Sequence, residues 1–109
     1  MVSAKFQDEN KVILAGRLTK DAVLRYTLNN LAVVRFTIAV NTIVKDKKET
    51  LFIPVVAYGD LALEVSSLIK QGTPVRVEGR LVNRVVKFSE EEEHKFVEVV
   101  AHKIEIYNK

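Results

Sequence analysis

Over long stretches of this chain, apolar and polar residues exchange places at every second position. In "LAVVRFTIAVNTIV", Val34, Phe36, Ile38 and Val40 fall on one parity, and Val33, Arg35, Thr37, Ala39 and Asn41 on the other. In "VRVEGRLVNRVVKF", Val75, Val77, Gly79 and Leu81 alternate with Arg76, Glu78, Arg80, Val82 and Arg84. A period of two is the pleat of a strand, with one side packed and the other meeting solvent. "NKVILAGRL" is apolar on both parities, which suits a strand buried on both faces or wrapped tightly around a core. A short extended piece, Val23 to Tyr26, lies between turns at "TKD" and Asn29-Asn30. "LFIPVVAYGD" and "KFVEVVAHKIEIYN" complete the strands. Two polar connections join them: the charged "KDKKE", and the glutamate run that forms a hairpin tip.

The period changes once. Leu61, Val65, Leu68 and Ile69 lie at helical spacing, with Asp60 near the start and Gly72 just past the end. Three strands, one helix between the third and fourth, then two strands is the element order of the OB-fold, a five-stranded Greek-key barrel in the all-β class. With 109 residues the chain is expected to form one such domain, 1–109. Gly79 sits where a long barrel strand has to bend.

Composition narrows the function classes. The chain is 48% hydrophobic and 28% charged, as in globular domains. No apolar run reaches bilayer length and the first ten residues lack a signal-peptide core, so a cytoplasmic protein without membrane contact is expected. The absence of cysteine excludes disulfides, thiolate zinc sites and cysteine nucleophiles. His94 and His102 have no acid or serine at triad spacing, Ser66 and Ser67 lack nucleophile-elbow glycines, and no glycine-rich phosphate loop is present. Contiguous carboxylates at a hairpin tip diverge into solvent. No catalytic residue, metal or cofactor is therefore expected.

A binding role is better supported. The formal charge of +3 becomes +7 once the four glutamates Glu90 to Glu93 are set aside, and a local positive excess favours an anionic partner. Arg76, Arg80 and Arg84 share one strand face, and Arg35 lies on the polar parity of its own strand. Phe52, Pro54, Val56 and Tyr58 occupy one side of a strand whose other side, Ile53, Val55 and Ala57, already supplies the core. An outward apolar side needs a cover, either a nucleobase or a neighbouring subunit. Single-stranded nucleic acid is held in this way, by a cationic groove interleaved with rings on which bases stack.

Five blocks in order, "NKVILAGRLTKDAVLRYT", "AVVRFTIAVN", "FIPVVAYG", "LIKQGTPVRVEGRL" and "EVVAHKIEIY", resemble the bacterial single-stranded DNA-binding protein family from about Asn10 to Tyr107. The resemblance implies an OB-fold that binds and protects single-stranded DNA without sequence preference during replication, recombination and repair, usually as a homotetramer. It places Phe52 and Tyr58 at stacking positions, and Lys11, Arg25 and Arg84 at basic positions that meet phosphates or bases. Two further stacking positions hold Val44 and Val86, and Asp60 stands where a lysine is common. Phe88, on the parity of Arg84 and Val86, either restores a platform or packs within its hairpin. The acidic tail of longer members, which recruits replication and repair proteins, is not seen after "IYNK". Either this is a DNA-binding core cut from a longer chain or a tail-less relative. One such relative is the dimeric primosomal replication protein N, whose likeness suggests the alternative of an adaptor in replication restart with DNA binding secondary.

Overall fold

A computed structural model describes residues 3–107. Six strands and one helix follow in the order β1 (Val12–Leu18), β2 (Val23–Tyr26), β3 (Ala32–Val44), β4 (Lys47–Tyr58), α1 (Gly59–Ser66), β5 (Pro74–Lys87) and β6 (Glu93–Ile106). β1 runs antiparallel to β5 from Val12↔Gly79 to Arg17↔Pro74, and its end meets β3 at Arg17↔Ala39 and Leu18↔Ile38. β3–β4 and β5–β6 are antiparallel hairpins, and β4 joins β6 in parallel at Val55↔Val99 and Val56↔Val100. β1, β5, β6, β4 and β3 thus close into the five-stranded barrel of an OB-fold, the expected class. β2 is a short flange on β3, at the piece read as extended from Val23 to Tyr26.

The barrel forms because the inward parities agree around the ring. Val34, Phe36 and Ile38 of β3, Val55 and Ala57 of β4, Val75 and Val77 of β5, and Val99 of β6 make one buried cluster. Ala62 and Val65 of α1 close one end, with Ile69 just beyond the helix. Two glycines permit close approach of the backbones. A Cβ on Gly16 would run into the carbonyl of Ala39, and one on Gly79 into the carbonyl of Val100. At Gly79 the β5–β6 register slips, Glu78 facing Lys103 and Gly79 facing Ala101. This bulge is the bend expected there, and it increases the local twist that lets β5 serve both β1 and β6.

Two expectations about connections are corrected. The helix ends at Ser66 rather than running on to Ile69, and Leu68 of the expected stripe is 57% exposed. Ile69 still packs, because a turn in which Leu68 and Ile69 both donate to the Val65 carbonyl carries it inward. Gly72, at φ 84°, belongs to a separate turn leading into β5. The connection "KDKKE" also shortens. Val44 pairs with Lys47, leaving only Lys45 and Asp46 as the loop, at φ 50° and 64°. Positive φ at both central residues is the primed two-residue turn that matches strand twist.

The hairpins outrun the core. β3–β4 pairing continues without a break from Val33↔Tyr58 to Val44↔Lys47, yet residues 41–52 are all exposed. The β5–β6 arm closes at Lys87↔Glu93, and at its tip Phe88 donates to the Glu92 carbonyl while Ser89 Oγ accepts from the Glu92 amide. Midway along β5, the Asn10 side chain donates to the Leu81 carbonyl and accepts from its amide. This side-chain bridge extends the β1–β5 ladder and fixes the start of β1, where Lys11 stands.

Candidate nucleic-acid interface

Directly opposed residues of antiparallel strands share a face, so the registers specify what the outer side of β2, β3 and β4 carries. Arg25, Val33 and Tyr58 form one row, and Val23, Arg35 and Val56 the next. Thr37 then faces Pro54, Ala39 faces Phe52, and Asn41 faces Thr50, whose hydroxyl donates to Asn41 Oδ1 at 2.6 Å. The second row continues through Val100 of β6 to Arg80 of β5. Phe52 is 63% exposed and Tyr58 40%. Neither ring is sealed in the barrel.

Pro54 fits this strand without costing a ladder bond. The Thr37 carbonyl accepts from the Thr19 amide at 3.0 Å, so the polar backbone of Thr37 points away from β4. Thr37↔Pro54 is then a rung without hydrogen bonds, and the proline nitrogen faces the side where β6 pairs only from Val55 onward. One part of the outward face differs from expectation. Val56, read as part of an exposed apolar side, is fully buried between its neighbours Arg35 and Val100. The aromatic positions flank a covered centre.

That centre is charged. Glu98 of β6 is only 4% exposed, and its Oε2 lies 2.9 Å from an Arg35 nitrogen and 3.6 Å from an Arg84 nitrogen. A buried carboxylate demands such partners, since an unpaired charge out of water is strongly destabilising. Each arginine keeps more than a third of its side chain in solvent. Arg84 also lies 5.6 Å from the ring centre of Phe96, its cross-strand neighbour. Arg35, Thr37, Pro54, Arg84, Phe96 and Glu98 line one open trough between the two hairpins, which the β1–β2 connection borders with Lys20 and Asp21. Arg25 and Arg35, with Val23 and Val33, line a second depression beside it.

The other residues singled out from sequence stand apart. Arg76 bonds to Glu78 at 2.6 Å and to Glu105 at 3.2 Å, on the stretch of β5 that pairs with β1. The Arg76 hydrogen bond, reinforced by the charges of Arg76, Lys103 and nearby Lys11, holds the Glu78 carboxyl below its ordinary value. Arg76 is thus already engaged by carboxylates. Phe88 is 65% exposed at the arm tip and meets His94 edge-to-face at 4.8 Å. Val44 is 46% exposed beside the β3–β4 turn, and Val86 is half-buried opposite His94.

Glu98 and Phe96 are the site residues that sequence reasoning missed. Arg35 and Glu98 lie 63 positions apart, so no local pattern joins them. The available signal is a lone acid within the apolar "FVEVVA" of a barrel strand.

The comparisons with known proteins agree with this geometry. The model of the single-strand binding protein family matches residues 9–107. The single-stranded DNA-binding protein of Caldanaerobacter subterraneus subsp. tengcongensis is 42% identical over 95 residues, covering 84% of this chain and 63% of that protein. The protein of the same name from Streptococcus pneumoniae is 37% identical over 100 residues, covering 89% of this chain and 64% of that one. Single-stranded DNA-binding protein A of Bacillus subtilis is 45% identical over 78 residues, which is 69% of this chain and 45% of that protein. The chain thus spans less than two thirds of these relatives' length. A five-stranded barrel with an aromatic and cationic outer face, matched by the family model over nearly all its residues, places the chain in the single-strand binding protein family.

Proposed function

We propose that this protein binds single-stranded DNA without sequence preference, with Phe52 and Tyr58 stacking bases while Arg25, Arg35, Arg80 and Arg84 meet phosphates. The observation that carries the reading is the shared outer face. Two exposed rings border a row in which arginines from β3 and β5 lie across a buried centre. Rings accept any base and guanidinium groups accept any phosphate, so such a face tracks the strand rather than its sequence. Lys11 and Phe88 extend the positive and aromatic surface beside β1 and at the arm tip, while Arg76 is held by Glu78 and Glu105. The protective role in replication, recombination and repair, in the cytoplasm, follows from that activity. No helix among the described residues is long and apolar enough to cross a membrane.

Titration with dT oligomers at several salt concentrations tests this. Four arginines line the face and Glu98 offsets one of them, so about three phosphates are neutralised per protomer. Binding should then fall with a log–log salt slope of about −2. Absence of binding at low salt, or a slope near zero, would defeat the proposal. The adaptor reading is less favoured, since the relatives matched are named for single-stranded DNA binding.

We also propose a homo-oligomer. Ile13 on the outward side of β1 is 46% exposed beside Ala15, also exposed, and a partner copy would cover it. A tetramer is expected on the family pattern and a dimer on the primosomal one, and a monomer mass by light scattering would remove this part. Replication or repair proteins are further partners consistent with the family.

A further inference from the structure

We infer that Phe96, with Arg84 held beside it by Glu98, is an additional base-stacking platform on the floor of the trough between the two hairpins. The inference rests on the single-strand reading above and gives that surface a subsite not counted among its stacking positions. Phe96 is 38% exposed, and it lines the trough together with Pro54 and Arg35. A phenylalanine on the outward side of a barrel strand exposes apolar area to water unless something covers it. Here the neighbouring chemistry identifies the cover. The Arg84 guanidinium lies over the ring, 5.6 Å from its centre, so the cation covers part of one ring face and the remaining aromatic and cationic surfaces adjoin. Ring and guanidinium both present flat faces to a nucleobase, and the arginine's remaining donors can meet the attached phosphate.

Glu98 acts here as a positioning residue. Its Oε2 contacts both Arg84 and Arg35 while almost no part of its side chain reaches solvent. The carboxylate therefore sits beneath the arginines, where the DNA does not compete for it, and it fixes guanidinium groups that would otherwise sample many rotamers. Such a platform would compensate for valine at positions 44 and 86, which offer apolar contact without a π-face.

The chain has no tryptophan, so Phe96→Trp introduces a unique indole. The wild type, Phe96→Trp, Phe96→Leu and Glu98→Gln proteins would be titrated with a dT oligomer and with an abasic oligomer of equal length. The indole should be quenched by dT but not by the abasic strand. Phe96→Leu, which keeps apolar bulk, should bind dT about fivefold or more weakly, with abasic binding unchanged. Glu98→Gln should reduce the preference for dT over the abasic strand while steepening the salt slope by about 0.7, because one offsetting charge is gone. An indole that stays bright while dT binds, or a Phe96→Leu protein weakened equally for both oligomers, overturns the platform. A Glu98→Gln protein with the wild-type preference removes Glu98 from it. Failure of the wild type to bind dT instead overturns the single-strand reading itself, and the platform with it.

Discussion

Phe52→Ala weakens binding of a dT oligomer by about 1–3 kcal/mol, the usual cost of deleting one base–aromatic stack. The fold should scarcely notice. The ring is 63% exposed, opposite the small Ala39, on a stretch of hairpin where the flanking residues Thr50 and Leu51 are also exposed. Surface truncations of this kind change stability by roughly 0.5 kcal/mol or less. Tyr58→Ala should lose affinity in the same direction, with a larger stability cost because Tyr58 is less exposed and sits opposite the buried Val33. Oligomer titration and thermal melting read the two effects separately. A Phe52→Ala protein that melts far below the wild type but binds DNA equally well would show that the ring belongs to the packing of the hairpin.

The largest loss of stability is expected from Gly79→Ala. The added methyl group would occupy the space of the Val100 carbonyl and crowd the Ala101 backbone. Neither obstacle is a flexible side-chain end, so the strands themselves have to separate. Overpacking typically costs 1–3 kcal/mol, and with backbone as the obstacle about 3 kcal/mol is expected. For a domain of this size that corresponds to a fall in Tm of roughly 10 °C or more. Differential scanning calorimetry measures it directly, and a shift within a degree or two of wild type would show that the bulge relaxes freely. Gly16→Ala meets the Ala39 carbonyl in a similar way where β1 reaches β3.

The strands were legible because side-chain alternation is a local property. Val34, Phe36 and Ile38 declare their inward face without reference to any other segment. The helix was legible in kind but not in extent, because Ile69 keeps its buried place through a turn. Helical spacing and a turn that happens to point inward give the same pattern of letters. The tight turn at Lys45-Asp46 was obscured because charged residues in an exposed hairpin carry no mark of pairing. The aromatic side of β4 was foreseen by elimination, since Ile53, Val55 and Ala57 already served the core. The buried centre was not foreseen. Val56 is covered and Glu98 reaches Arg35 only because β6 closes onto β4, a parallel contact that joins distant segments.

The unbroken pairing of β3 with β4 well past the packed interior has a consequence for how such a molecule can diversify. Rungs added or removed near Lys45 and Asp46 leave every valine of the barrel in place. The reach of the protein along a strand is therefore adjustable independently of its melting behaviour, much as a ruler can be lengthened without recasting its handle.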